Sequence, residues 1–415
     1  MNPFATALRG AGHDARLFLV ASAAMGLVVG IYDLTLTLYL HALAFRADDI
    51  GLFGATTAVA SLVSSLPAGL LLLRLGRRPV LLVAGLLHAL ALALLTVLHE
   101  PAALLAVAAV IGVSAGPFWA TVMPALTDDS LPEARVHLFA VQSFAMYAMT
   151  ALGAAVGGAV PELVAHVTHQ PSTGPGPLRA ALWCAAVVVA AGTIPFIWLR
   201  PGSSGGDTDA GGGAGGRWRD AVDLPRFGRL LLPDVLLALS LGAMALFLPL
   251  YFGLRFRLSP GALGAVFAPV NAVAALATLL APLAAQRVGR SRSLLALLAL
   301  TVPLLGLVAY TPLLAPAVAA LYLQTSARTM VDPLYAAFVM EQVTERQRTL
   351  LGSLYQITWN VGFSLGPWLS GLLQMRGGFG LAFGFAIACQ AAAVVLIVVF
   401  FYRTMAARAL YGLLR

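Results

Sequence analysis

Three ionisable side chains stand inside long apolar stretches of this sequence, namely Asp33, Arg328 and Asp332. A charge at membrane depth costs about 2.5–3.5 kcal/mol on insertion scales, so each is a candidate for function. Arg328 and Asp332 are four residues apart, so they share one helix face and can neutralise each other. We predict that Asp33 is a proton-titrating carboxylate and Arg328 its exchangeable partner. The alternative is a structural Arg328–Asp332 pair with Asp33 hydrogen-bonded near water.

Aromatic and amide side chains accompany these charges on the same and other apolar runs. The predicted cavity residues are Tyr32, Trp119, Gln324, Tyr335, Gln356, Trp359 and Asn360. This mixture suits an amphipathic organic solute better than a bare inorganic ion. For each aromatic residue taken alone, packing in a core is the plain alternative.

Several kinds of chemistry are excluded or disfavoured by the residues that are missing. All 25 basic residues are Arg, so a Walker A phosphate loop and Schiff-base catalysis, which both need Lys, are excluded. No nucleophile–base arrangement occurs at membrane depth, so we expect no enzyme and no cofactor. His166 and His169 have metal-ligand spacing but no third ligand nearby, and we expect no metal site.

The elements that must position these residues are long apolar runs. The chain is 60% hydrophobic and 10% charged, against about 45–50% and 25% in soluble domains, and a bilayer-spanning helix needs about 20 apolar residues. The sequence therefore predicts an all-α membrane protein with twelve transmembrane helices. Their predicted ranges are 17–43, 50–73, 79–98, 102–126, 137–161, 178–199, 230–254, 262–285, 293–310, 313–340, 350–374 and 379–401.

The distribution of Arg residues predicts the orientation. With the N-terminus inside, nineteen Arg residues fall in inner segments and five in outer loops, and Arg328 is left within a helix. Positive charge concentrates on the cytoplasmic side of membrane proteins. We expect a multi-pass protein of the inner or plasma membrane with both termini in the cytoplasm. The net charge of +8 is then a sidedness signal, and no nucleic-acid partner is implied.

The sequence repeats itself at an offset of 213 residues. This shift pairs Arg16 with Arg229, Arg74 with Arg287, Gly76 with Gly289, Asp128 with Glu341 and Gly153 with Gly366. An even number of helices per repeat leaves both copies in the same orientation, and solute sites in duplicated transporters lie between the repeats. We predict six-helix bundles at 1–199 and 229–415, joined by a cytoplasmic Gly-rich linker at 200–228.

The loop between the second and third runs reads GLLLLRLGRR at residues 69–78. It resembles the signature loop of the major facilitator superfamily, G-x-L-x-D-R-x-G-R-R, and a weaker copy follows at 287–290. The resemblance implies the fold of that superfamily, two six-helix bundles, with helices one, four, seven and ten lining a central cavity. Leu73 replaces the acidic residue of the signature, which puts the family's gating contact of that residue in doubt.

The Arg residues of the loop suggest a cytoplasmic gate in each half. We predict clusters formed by Gly69, Arg74, Gly76, Arg77, Arg78 and Asp128 in the first half and by Arg287, Gly289, Arg290 and Glu341 in the second. The alternative is that these charges only orient the protein and are solvated.

Glycines in helices five and eleven are similar to the G-P-x-x-G-G signature of proton-coupled drug exporters in the superfamily. Helix five has Ala154 where those exporters have Pro, and helix four carries no charge where they often have Arg. Close helix packing explains the same glycines without any export role.

Together these patterns predict a secondary-active transporter that moves a small organic solute by alternating access. Proton-coupled export, as a multidrug-like antiporter, is the leading interpretation. The alternative is proton-linked or facilitated uptake of a sugar, metabolite or lipid-like solute. A receptor or channel is disfavoured, and we expect a monomer whose partners are the solute, protons and the lipid bilayer.

Overall fold

The computed structural model describes residues 12–129, 135–200 and 224–413. The predicted linker therefore lies, apart from its ends, outside the described residues. Among the described helices, nine are long and apolar enough to cross a membrane, one of them the 47-residue segment Leu354–Phe400. A bent pair, Ala47–Ser65 and Pro67–Leu75, makes a tenth if it counts as one span.

Each of the twelve predicted runs lies for the most part in helical segments, which confirms the all-α prediction. The first six are α1 (His13–Ala42), α2 (Ala47–Leu75), α3 (Arg77–Leu95), α4 (Pro101–Asp128), α5 (Arg135–Thr168) and α6 (Pro175–Thr193). The next four are α7 (Leu224–Ala245), which a short helix Leu248–Phe256 follows, α8 (Pro260–Val288), α9 (Arg290–Tyr310) and α10 (Leu314–Glu341).

The last helical run, Glu345–Leu413, contains two helices. Its backbone is not helical at Gly377 and Gly378, and Gly378 has a φ of 64°. Glycine adopts this left-handed conformation without the steric penalty of a side chain. We call the part before the break α11 and the part after it α12.

The contacts between helices divide the chain into two compact units. The first unit contains α1 to α6 together with Leu248–Ala272, and the second contains the rest of the described chain from α7 onward. Judged by contacts, Leu248–Ala272 belongs to the first unit. The sequence repeat instead assigns these residues to the second half.

The first unit is held together by close helix crossings. α1 packs on α5 and α6, and α2 packs on α4. A Cβ placed on Gly153 of α5 would lie 2.2 Å from the carbonyl oxygen of Leu27 and 3.0 Å from the Cα of Gly30. Only glycine fits at this crossing, since small residues let helix backbones approach closely in a membrane.

Two polar contacts join helices inside the first unit. The His88 ring, 7% exposed, lies 2.8 Å from the Ser114 hydroxyl and joins α3 to α4. The Glu162 carboxylate accepts a hydrogen bond of 3.1 Å from the Gly261 amide and joins α5 to the start of α8. Both contacts satisfy groups that would be costly to bury alone.

In the second unit, α7 packs along α11 and α12, and α9 packs on α10. Its apolar core contains Phe227, Leu230, Leu294, Tyr335 and Phe338. The Gln390 amide donates a 2.6 Å hydrogen bond to the Thr301 hydroxyl within this packed region. The core therefore fixes α7, α9 and α10 against one another, and Asp234, Arg328 and Asp332 lie on two of these helices.

Candidate functional site

Asp33 lies in the middle of α1, in the first unit, and its side chain is exposed. The structure gives its carboxylate no hydrogen bond and no ion pair with any described residue. The neighbouring Tyr32 interacts with Asp33 and with Thr57 of α2. An exposed carboxylate so far from either end of an apolar helix can exchange a proton or meet a solute.

Arg328 and Asp332 form an ion pair on α10, in the second unit. The distance between Nη1 of Arg328 and Oδ1 of Asp332 is 2.5 Å. The two side chains differ in accessibility, because Arg328 is 7% exposed and Asp332 50%. The guanidinium carbon also lies 5.2 Å from the centre of the Trp359 ring, within cation–π distance. The partner of Arg328 in this structure is therefore Asp332.

A third carboxylate of the second unit, Asp234 on α7, was missed by the sequence analysis. Its side chain is fully buried, and Oδ2 accepts a 3.1 Å hydrogen bond from the Thr358 hydroxyl of α11. The predicted run begins at residue 230, so Asp234 falls in its first turn. The structure begins α7 at Leu224 and places Asp234 in its third turn. The available signal was that Asp234 is the only acidic residue in the run 230–254.

The other predicted cavity residues occupy different environments. Trp119 of α4 is 44% exposed and packs edge-on against Phe118. Gln356 is exposed, and its backbone carbonyl accepts a hydrogen bond from the Asn360 amide at 2.7 Å. Trp359 and Gln324 are partly buried.

Tyr335 lies in the core of the second unit rather than on an open surface. It is 1% exposed, and its hydroxyl donates a 2.8 Å hydrogen bond to the Leu230 carbonyl. The structure thus brings Arg328, Asp332 and Trp359 together. Asp234 interacts electrostatically with Arg328 and Asp332, and the buried Tyr335 interacts with Asp234 and Arg328.

The predicted gate of the first half contains an ion pair. Nη2 of Arg77, at the start of α3, lies 2.5 Å from Oδ2 of Asp128 at the end of α4. Gly76 precedes Arg77 with a φ of 83°. Arg74 is exposed and Arg78 partly exposed, while a Cβ on Gly69 would meet nothing within 4 Å.

The corresponding loop of the second half repeats the backbone of the first. Gly289 has a φ of 90°, close to the 83° of Gly76, at the equivalent position of the repeat. Positive φ explains why both copies have glycine there. Arg287 is exposed. The side chains of Arg290 and Glu341 lie outside the described part, so the second predicted cluster stays a prediction.

The sequence matches the family profile described as Major Facilitator Superfamily over residues 18–343 and 235–410. The chain belongs to the Major Facilitator Superfamily. This member is therefore a multi-pass membrane transporter of small solutes and not an enzyme. No curated protein matches its sequence.

Solved structures of other transporters share the fold of this superfamily member. It is similar to a bacterial homologue of the human lysosomal transporter Spinster, with 15% identity, a TM-score of 0.72 and coverage of 96% of this chain and 98% of the other. It is also similar to the nucleoside transporter NupG, with 15% identity, a TM-score of 0.67 and coverage of 94% and 98%. A D-xylose-proton symporter is 11% identical, with a TM-score of 0.71 and coverage of 93% of this chain and 96% of the symporter. At these identities the likeness shows the shared fold alone.

Proposed function

We propose that this transporter couples the movement of a small organic solute to protons, with Asp33 as the coupling carboxylate. The observation that carries the proposal is the exposed, unpaired carboxylate of Asp33 in the middle of an apolar helix. Acidic residues inside membrane helices mark ion pathways and proton relays in transporters. A proton taken up from one side and released to the other would bias the exchange between two conformations.

Aromatic and polar side chains within each unit favour an amphipathic organic molecule. In the first unit Trp119 offers an exposed aromatic face, and in the second unit Gln356 and Asn360 offer amides on α11. Asp332 adds a half-exposed negative charge. Because fold alone does not determine the solute, this assignment rests on the side chains.

We further propose export in exchange for protons as the direction of transport, by a monomer of the inner or plasma membrane with both ends in the cytoplasm. The glycine pattern of α5, which resembles that of proton-coupled exporters, and the distribution of Arg support this direction and orientation. The ion pair between Arg77 and Asp128 then lies at the cytoplasmic end and acts as part of a gate.

Uptake is the second candidate direction. It is favoured by the structural likeness to NupG, described as a nucleoside transporter, and to a D-xylose-proton symporter. Both directions use the same coupling carboxylate, and they differ in whether the proton moves with the solute or against it.

The test is a proton-flux assay with purified protein in liposomes that contain the pH dye pyranine. Uridine, D-xylose and the cationic dye ethidium are added outside in turn. Exchange for protons makes the vesicle interior more alkaline as the solute enters, whereas symport makes it more acidic. In Asp33→Asn, the proton movement is expected to vanish while solute exchange or binding is retained.

Asp48→Asn is the matched control, because Asp48 lies in the first turn of α2 and pairs there with the exposed Arg46 at 3.2 Å. It is expected to behave like the wild type. Proton movement that persists in Asp33→Asn would overturn the role of Asp33, and acidification with any solute would replace export by uptake.

A further inference from the structure

One of the two carboxylate oxygens of Asp234, in the second unit, has no hydrogen-bond partner in the described chain. Asp234 is fully buried, and Thr358 donates a hydrogen bond to Oδ2, but Oδ1 has no hydrogen-bond partner among the described residues. The ionisable groups that face it are Tyr355 from α11 and Arg328, Asp332 and Tyr335 from α10. Burying an ionised carboxylate with an unpaired oxygen is strongly unfavourable.

Arg328 has hydrogen-bond donors without partners, which complement the acceptor without a partner on Asp234. Only Nη1 is engaged, with Asp332, while Nε and Nη2 are buried and have no hydrogen-bond partner in the described chain. A guanidinium carries five N–H donors in a fixed plane, which suits it to serve two acceptors. In the described part of the protein, Arg328 is the only cation whose charge acts on Asp234.

The cluster thus contains two carboxylates and one cation. With both carboxylates ionised it carries a net charge of −1, and with one of them protonated it is neutral. A neutral cluster is the cheaper one to hold inside a membrane. Because Arg328 is bound to Asp332 in this structure, the carboxylate left to carry the proton is Asp234.

We propose that Asp234 is a second proton site of the transporter, and that Arg328 is exchanged between Asp332 and Asp234. When Arg328 pairs with Asp332, Asp234 is the neutral acid. When Arg328 turns to Asp234, the O–H bond of Asp234 breaks and its proton leaves to water. Asp332, then released and half-exposed, takes up a proton from water, so that the cluster stays neutral throughout.

The surroundings of Arg328 suit such an exchange. The guanidinium carbon lies over the Trp359 ring, 5.2 Å from its centre, and a cation–π contact uses none of the N–H donors that a carboxylate would accept. Thr358, the neighbour of Trp359 on α11, already holds the Asp234 carboxyl by Oδ2. Oδ1 remains as the free acceptor for Arg328.

The proposal rests on proton coupling for its role in transport, but the protonation of Asp234 can be tested without any solute. Infrared spectra are recorded on the full-length protein in liposomes at neutral pH and on acidification. The wild type is expected to show the C=O band of a protonated carboxyl at neutral pH, and Asp234→Asn is expected to lose the part of this band that Asp234 contributes. In Asp332→Asn, Arg328 has only Asp234 to pair with, so the band should weaken at neutral pH and return on acidification.

Two further variants keep the test decisive. Arg328→Gln leaves both carboxylates without a cation, so the part of the band that depends on Asp234 should persist at neutral pH. Thr358→Val retains Asp234 but removes one hydrogen bond to it, and the band should move to higher frequency even if Asp234→Asn does not fold. Asp33→Asn is the control for a membrane-depth carboxyl outside this cluster, and it should leave the part of the band that depends on Asp234 unchanged.

A band that is the same in the wild type and in Asp234→Asn, and that does not move in Thr358→Val, would overturn the proposal. Its failure is distinguishable from a failure of the proposed function. If proton flux is absent but the band depends on Asp234, Asp33 is not a coupling site, whereas Asp234 is still a proton site. If flux depends on Asp33 but the band does not change in Asp234→Asn, Asp33 is the coupling site and Asp234 is not a proton site.

Discussion

Arg77 and Asp128 are joined by an ion pair of 2.5 Å that ties the first turn of α3 to the last turn of α4. Arg77 is 11% exposed and Asp128 46%, so the guanidinium is held in the protein while the carboxylate borders open space. The next residue, Asp129, extends the same connection to α1, because its side chain accepts a 3.1 Å hydrogen bond from the Ala15 amide. Two adjacent carboxylates at the end of α4 therefore hold the starts of two other helices.

Asp128→Asn is expected to alter the rate of solute transport several-fold while the amount of membrane-inserted protein stays near that of the wild type. A half-exposed ion pair contributes about 1 kcal/mol or less to stability, too little to prevent folding, yet enough to shift a balance between conformations. Initial transport rates and the amount of inserted protein are measured together, with Asp48→Asn as the control. An equal loss of both quantities would show that the pair serves assembly and not gating.

Asp129→Ala is expected to loosen the first turn of α1. The residue before this helix is Gly12, which has no side chain to cap the free amides, and the Asp129 carboxylate takes that place at Ala15. Loss of a capping side chain costs about 1 kcal/mol. Hydrogen exchange in the first turn of α1 should become faster in Asp129→Ala and much less so in Asp129→Asn, which keeps an acceptor. Equal exchange rates in the wild type and in Asp129→Ala would show that the contact contributes nothing.

The helices and the repeat could be predicted from the sequence because their signals are strong and local. A run of about 20 apolar residues has no common alternative to a membrane-spanning helix. The paired glycines at 76 and 289 share a positive φ, which a side chain would make unfavourable, so the offset that aligns them reflects a real structural equivalence.

The site could be predicted only in part, because in a membrane helix apolar residues face both the core and the lipid. Leu92 of α3 is fully buried and Leu86 is 59% exposed, yet nothing in their residue types distinguishes them. The same ambiguity put Tyr335 among the predicted cavity residues. Asp234 was missed for a different reason, since a shift of the helix start by six residues moved it from an apparent end to the interior.

Gly153→Ala is expected to destabilise the first unit. The added Cβ would lie 2.2 Å from the Leu27 carbonyl oxygen at the crossing of α5 with α1, and overpacking of this kind costs about 1–3 kcal/mol. Gly306→Ala is the matched control, because a Cβ on Gly306 of α9 would meet nothing within 4 Å. Thermal unfolding in detergent should show a lower midpoint for Gly153→Ala only. A midpoint equal to that of the control would mean that α1 and α5 can separate without loss.

Tyr335→Phe is expected to lower the stability of the second unit, because it removes a hydrogen bond at a place that water does not reach. The hydroxyl is buried and donates to the Leu230 carbonyl at 2.8 Å, and such a bond contributes about 1 kcal/mol. Tyr310→Phe removes a hydroxyl with a similar bond, 2.9 Å to the Gly380 carbonyl, but in an exposed position where water can replace it. The unfolding midpoint should therefore fall more in Tyr335→Phe than in Tyr310→Phe. If the two midpoints fall equally, water reaches Tyr335, and it belongs to an open cavity as its sequence pattern suggested.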